Sequence, residues 1–386
     1  MIFPETSLVL SGDRFTVLYR LAAANEAEAR RKAQGICLEQ TVEVPQALLQ
    51  DDDIRNQVVG RIESLEQTQA GRFAAAISYP IEASAFDLTQ LLNVIFGNSS
   101  MQPGIRVEEV TLPDTLLRIF GGPRWGREGI RARVRASERP LLATALKPMG
   151  LSAKELANLA RQFALGGIDI IKDDHGLTNQ PFAPYRERVR LCAAAVNEAN
   201  QKTGFNCLYV PNVTAAAPQT VERAYLAKEM GAGGMMIAPG LVGWDTLRCL
   251  AADEGLALPV FSHPALLGSF VTSPEQGISH AIVFGLLPRL AGADASIYVN
   301  YGGRFSFPRE DCRGIVQATG QPMGDLRPIF PMPGGGMDLS RLPEMFNFYG
   351  RDVIFLVAGG LYGHGPDLLD SSRQFRELVE TRSVSG

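Results

Sequence analysis

The spacing of apolar positions changes character about a third of the way along the chain. "RFTVLYRLA" puts Phe15, Val17, Tyr19 and Leu21 on alternate positions, the period of a strand with one buried face. "NEAEARRKAQGICLEQT" follows at helical spacing, with Asn25 placed to cap its first turn. "GRFAAAISYPI" and "GIRVEEVTLP" predict two more strands, and "DLTQLLNVIFGN" between them predicts a helix. This mixture predicts a small α+β, ferredoxin-like domain over residues 1–125. The Gly-, Pro- and Arg-rich run "GGPRWGREGIRARVRASERP" predicts a linker.

Beyond it the rhythm is strand, then helix. The short apolar runs "PLLATALKP", "IDIIKDD", "CLYVPNVT", "GMMIAP", "LPVFSHPA", "ASIYVN", "PIFPMPGGG" and "VIFLVAGG" are each followed by a helix-period segment. The fifth of those segments is read as one helix over residues 275–292. Eight such pairs over roughly 250 residues predict an α/β fold, a (β/α)8 TIM barrel spanning 126–386. A doubly wound open sheet competes, but no GxGxxG follows the first of these strands.

Composition narrows the function classes. A net charge of -4 offers no electrostatic footprint for nucleic acid or an anionic membrane. No apolar run is long enough to span a bilayer and the first residues lack a basic signal-peptide start, so a cytoplasmic location is expected. The five cysteines show no paired spacing and are read as core thiols. The charged runs "EAEARRK" and "RERVR" are read as solvated helix faces, and His280 as structural.

Candidate chemistry falls where barrel strands end, the place barrels keep their catalytic groups. Lys147 ends the first strand; Lys172, Asp174 and His175 end the second; Asn212 ends the third and His263 the fifth. Glycines close the seventh (Gly334 to Gly336) and the eighth (Gly359, Gly360), where bare backbone N–H groups could hold a phosphate. His364, just beyond, is a further candidate for touching substrate. Strand alternation puts Lys172 and Asp174 on one face and Asp173 on the other. A buried lysine tends to lose its charge, and a neutral amine can add CO2 to become a carbamate, an anionic oxygen ligand. Carbamate and Asp174 together would suit Mg2+. A plain buried Lys–Asp ion pair is the competing reading.

"GGIDIIKDDHGLTNQPFAPYRERV" resembles the signature of the RuBisCO large-subunit superfamily, and "LLATALKPMGLS", "NVTA" and "FSHPALLGSF" resemble its neighbouring strand ends. The resemblance implies that Lys147 is a general acid/base and that carbamylated Lys172 and Asp174 hold Mg2+. It puts Asn212 and His263 against substrate or metal-bound oxygens, and Thr41, Gly336, Gly359 and Gly360 at one phosphate. Asn93 matches an asparagine that one subunit offers to its partner's barrel, which implies a homodimer with a shared site. Arg304 stands where the family's mobile-loop lysine does.

Departures from the family pattern matter as much. Met149 follows Pro148 in place of a second lysine. Pro264, Ile297 and Gly334 replace the donors of a second phosphate site, so a bisphosphate would leave one charged end unpaired, at a cost of several kcal/mol. That excludes a carbon-fixing enzyme and implies a RuBisCO-like (form IV) member that forms an enolate of a monophosphorylated keto sugar. His175 replaces a glutamate ligand; imidazole suits Mn2+ better than it suits Mg2+. The methionine-salvage enolases usually keep that glutamate. The expected reaction is therefore C–C cleavage of a phosphorylated keto sugar acid, a 3-oxo-isoapionate-4-phosphate type decarboxylase or transcarboxylase/hydrolase. The alternatives are an enolase or isomerase of a methylthioribulose-phosphate-type sugar, and a sugar-phosphate-binding protein without turnover.

Overall fold

The computed structural model describes residues 7–49, 51–303 and 305–383. They form two compact units. One combines the chain up to Gly121 with Leu267–Val283 and Met323–Leu326; the other holds Gly122–Leu266, Phe284–Pro322 and the chain from Arg327 onward.

The first unit is a five-stranded sheet carrying helices. Its strands are β1 (Arg14–Ala22), β2 (Arg61–Gln69), β3 (Arg72–Pro80), β4 (Ile105–Thr111) and the two-residue β10 (Gly277–Ile278), in the order β10-β4-β1-β3-β2. β1 buries Phe15, Val17, Tyr19 and Leu21 completely, as its alternation predicts. The helix Glu26–Glu39 starts at Asn25, whose side chain accepts from the N–H of Glu28 at 3.0 Å. β2 has no buried residue and no apolar alternation, which is why the sequence pattern does not reveal it. β10 corrects a prediction. The helix expected over 275–292 is borne out only over 280–290, where it carries a π turn at Ile282–Leu286; its expected start is instead this strand. Gly277 has φ +110°, outside the helical region, which keeps the helix from starting earlier.

The second unit is the barrel. Its strands are β5 (Leu141–Leu146), β6 (Ile170–Asp173), β7 (Leu208–Val210), β8 (Met235–Ile237), β9 (Val260–Ser262), β11 (Ala295–Val299), β12 (Phe330–Gly334) and β13 (Ile354–Leu356). All pair in parallel, in the order β7-β6-β5-β13-β12-β11-β9-β8. The seam closes through Met236, whose N–H donates to Pro211 O and whose O accepts from Val213 N, both at 2.9 Å. The stretch read as a linker contains the helix Gly126–Val134. Its Ile130 and Val134 pack into the same core as the barrel's Leu141, Ile170, Phe330 and Ile354. Asp294 holds its start, accepting from the N–H groups of Trp125 and Gly126 at 2.8 and 2.7 Å. Among the described residues no helix is long and apolar enough to cross a membrane.

Candidate active site

A cavity of about 520 Å3 opens at the C-terminal ends of the barrel strands, lined entirely by residues of the second unit. The sequence candidates Lys147, Lys172, Asp174, His175, His263, Gly336, Gly359 and Gly360 all line it. Pro264, Ile297 and Gly334 line it too.

Asp174 is the electrostatic centre. Its Oδ1 stands 3.4 Å from Lys147 Nζ and 3.5 Å from His175 Nδ1. Burial works to raise its pKa, but the hydrogen bond from His175 and the ammoniums of Lys172 and Lys147 outweigh it and hold the carboxyl well below the usual range. Lys172 is 2% exposed and donates to the backbone O of Asp173 at 3.0 Å. Burial pushes its pKa down to about 8, against the pull of Asp174 and with help from Lys147. His263 stacks on His175 with ring centroids 4.8 Å apart and planes 16° from parallel. Burial, with Lys172 and His175 beside it, holds the His263 imidazole well below its ordinary pKa, so it is neutral. Its Nδ1 accepts from Ala265 N at 3.2 Å, which leaves the proton on Nε2.

Asp173 points the other way and has a structural task. It accepts from Tyr209 Oη at 2.8 Å, from Asn212 N at 3.1 Å and from Arg188 Nε at 3.2 Å, with neither Asp173 nor Arg188 exposed. Arg188 corrects the reading of "RERVR" as a solvated face. It sits on the buried side of the helix Tyr185–Thr203 with Tyr185, Val189 and Cys192, a register that helical spacing alone could have exposed.

Asn212 is also placed differently from expectation. It does not line the cavity; its amide donates to His175 O and Leu177 O at 2.9 and 3.1 Å, and its Oδ1 accepts from Thr214 N at 3.1 Å. With its side-chain amide and Oδ1 bonded to backbone, it supports the His175 loop. His364 lies outside the lining, bonded to Gln374 Oε1 at 2.8 Å. Thr41 and Asn93 belong to the first unit, where Thr41 Oγ1 donates to Cys37 O at 2.7 Å and the exposed Asn93 donates to Gln90 Oε1 at 3.3 Å. Arg304 lies outside the described residues. Cys249 is exposed, unlike the other four cysteines.

The glycines form one end of the cavity. Gly335 and Gly336 have φ of +94° and +63°, and a Cβ on Gly360 would collide with Met337 O, so these positions are closed to larger residues. Gly359 and Gly360 open the short helix Ala358–Tyr362, whose first amides have no acceptor within the helix.

Residues 128–377 match the family described as ribulose bisphosphate carboxylase large chain, catalytic domain. The chain belongs to that family. Within the RuBisCO family it is similar to the 5-methylthioribulose-1-phosphate isomerase of Rhodospirillum rubrum, 41% identical over 97% of this chain and 98% of that one. It is also similar to the ribulose bisphosphate carboxylase-like protein 1 of Rhodopseudomonas palustris, 38% identical over 95% of this chain and 98% of that one. A rubisco-like protein from Alicyclobacillus acidocaldarius superposes with a TM-score of 0.87 at 31% identity, covering 97% of this chain and 95% of that one.

Among the described residues no three His, Cys, Asp or Glu side chains converge as metal ligands. Asp174 and His175 are two neighbouring donors, and Lys172 lies beside Asp174 in the same cavity. The buried, low-pKa amine of Lys172 fits the role of a further metal ligand as a carbamate.

Proposed function

We propose that this RuBisCO-like protein is an enolising enzyme that moves a proton along a monophosphorylated ketose of the 5-methylthioribulose 1-phosphate type. The observation that carries this reading is one cavity with a glycine end suited to a phosphate and the Lys147–Asp174–Lys172 cluster beside it. Pro264 and Ile297 give the cavity an apolar stretch without a charged donor, which suits a substrate with a single phosphate. The family's fold and the named activity of the R. rubrum relative support an isomerisation.

Carbamylated Lys172, Asp174 and His175 would hold Mg2+ or Mn2+. Such an ion supplies Lewis acidity toward the substrate's carbonyl. The chain's own residues do the rest. Lys147 Nζ, beside Asp174, acts as the base once it has given up its own proton to solvent: the neutral amine takes the α-proton, and the ammonium so formed returns it to the neighbouring carbon. His263 keeps a proton on Nε2 and donates it in a hydrogen bond to a substrate oxygen. The Gly336, Gly359 and Gly360 backbone binds the phosphate. C–C cleavage of a keto sugar acid phosphate needs the same enolate, reached by losing a carboxylate; His175 in place of the family's glutamate is what keeps that second reading in play.

The test is incubation with 5-methylthioribulose 1-phosphate in D2O with Mg2+ and bicarbonate, followed by NMR. Deuterium should enter next to the carbonyl and an isomer should accumulate. CO2 release from a keto sugar acid phosphate, with no exchange in the methylthio sugar, would favour cleavage. No reaction with either would refute an enolising enzyme. Ribulose bisphosphate with labelled CO2 should give no fixed label.

A further inference from the structure

The glycine loop after β12 is gripped from behind. Gly334 O accepts from Asn300 N at 2.9 Å, Gly335 O from Asn300 Nδ2 at 3.4 Å, and Gly336 O from Arg341 Nη1 at 2.7 Å. Neither Asn300 nor Arg341 lines the cavity, whereas Gly335, Gly336 and Met337 do. In a planar trans peptide the C=O and the following N–H point in opposite directions. Pinning the carbonyls of Gly335 and Gly336 away from the cavity therefore turns the amides of Gly336 and Met337 toward it.

The two holders are themselves fixed. Asn300 is fully buried, and its Oδ1 accepts from Tyr349 Oη at 2.6 Å. Arg341 Nη1 also reaches Gly302 O at 3.1 Å, and Nη2 reaches Tyr301 O at 3.4 Å. Its own N–H donates to Asp338 Oδ1 at 3.0 Å. One guanidinium thus ties the loop after β11 to the loop after β12. The two run so close that a Cβ on Gly336 would stand 2.8 Å from Gly303 Cα. Closeness of this kind demands glycine, and glycine peptides rotate freely unless something holds them.

We propose that Arg341, with Asn300, is the positioning residue of the anion loop: it fixes the direction of the Gly336 and Met337 amides toward a bound phosphate without touching the phosphate itself. This rests on the reading that a phosphate binds at the glycine end. Inorganic phosphate is the probe, titrated calorimetrically at fixed ionic strength into the full-length protein and its variants. An aimed amide on a charged acceptor is worth a factor of roughly ten or more, so Arg341→Gln should weaken phosphate binding by about tenfold. Asn300→Ala, which changes no charge, should weaken it in the same direction. Arg341→Lys should recover part of the loss. Wild-type affinity in folded Arg341→Gln overturns the proposal. So does wild-type affinity in folded Asn300→Ala beside a weakened Arg341→Gln, because Arg341 would then act as a charge. Should Asn300→Ala fail to fold, Tyr349→Phe frees Asn300 Oδ1 at nearly constant volume, and unchanged affinity there overturns it equally. Gly359→Val tests the underlying reading separately. Phosphate binding by the wild type that ignores Gly359→Val puts the anion elsewhere and removes both.

Discussion

Replacing Lys172 by methionine should stabilise the barrel at neutral pH in metal-free, CO2-free buffer. The folded protein holds this lysine at a pKa of about 8, against an ordinary value of 10.5. Below pH 8 the native state therefore carries a buried ammonium, and a displacement of this size corresponds to about 3 kcal/mol of lost stability. Methionine fills a similar volume without the charge. It also removes the donor to Asp173 O, which returns about 1 kcal/mol to the debit side. The net gain at pH 7 is then roughly 2 kcal/mol. Its pH dependence is the sharper test. Between about 8 and 10.5 the unfolded chain holds the Lys172 proton while the folded one has released it, so wild-type stability climbs with pH across that window. The variant lacks this climb, and its advantage should fade by the top of the window. Calorimetric midpoints of the two proteins, compared from pH 7 to 10, read the difference directly. Parallel profiles, or a destabilised variant at pH 7, would refute the account of Lys172 as a strained, deprotonation-prone amine. The same amine should take up labelled CO2 in a 13C NMR experiment that the variant fails.

Lys147→Ala should lower turnover by about 10²–10⁴ with an unchanged thermal midpoint, since the side chain is half exposed and a positioned acid/base contributes on that scale. Gly359→Val should raise KM for a phosphorylated substrate far more than it lowers stability, because a Cβ there meets nothing within 4 Å; steady-state kinetics beside a melting curve separates the two. Arg188→Met should cost about 3–5 kcal/mol in denaturant unfolding by leaving the Asp173 carboxylate buried without its cation. His175→Glu should tighten Mg2+ in bicarbonate buffer, read by calorimetry; chelator-treated enzyme with full activity, and no metal binding by either protein, would remove the metal from the mechanism.

Much of the barrel was legible because its strands are buried on both sides and stand out as short apolar runs with polar residues at one end. Lys147, Lys172, Asp174, His175 and His263 could be named as candidates from strand ends alone, since parallel strands in a barrel deliver those ends to one rim. Alternation along "KDD" separated the inward Asp174 from Asp173, because side chains on a strand take opposite faces. Other features had no one-dimensional signature. β2 is solvent-facing and polar; β10 exists only because two residues from far along the chain add to the sheet beside β4. The stacking of His175 on His263 joins residues from different strand ends, and the burial of Arg188 against Asp173 joins a helix to a strand. Asn212 illustrates the limit best. The sequence puts it at the right rim, but whether its amide faces a ligand or the backbone of the His175 loop depends on where another loop folds. Local pattern determines which residues arrive at the rim; only tertiary packing decides which of their polar atoms are left for a substrate.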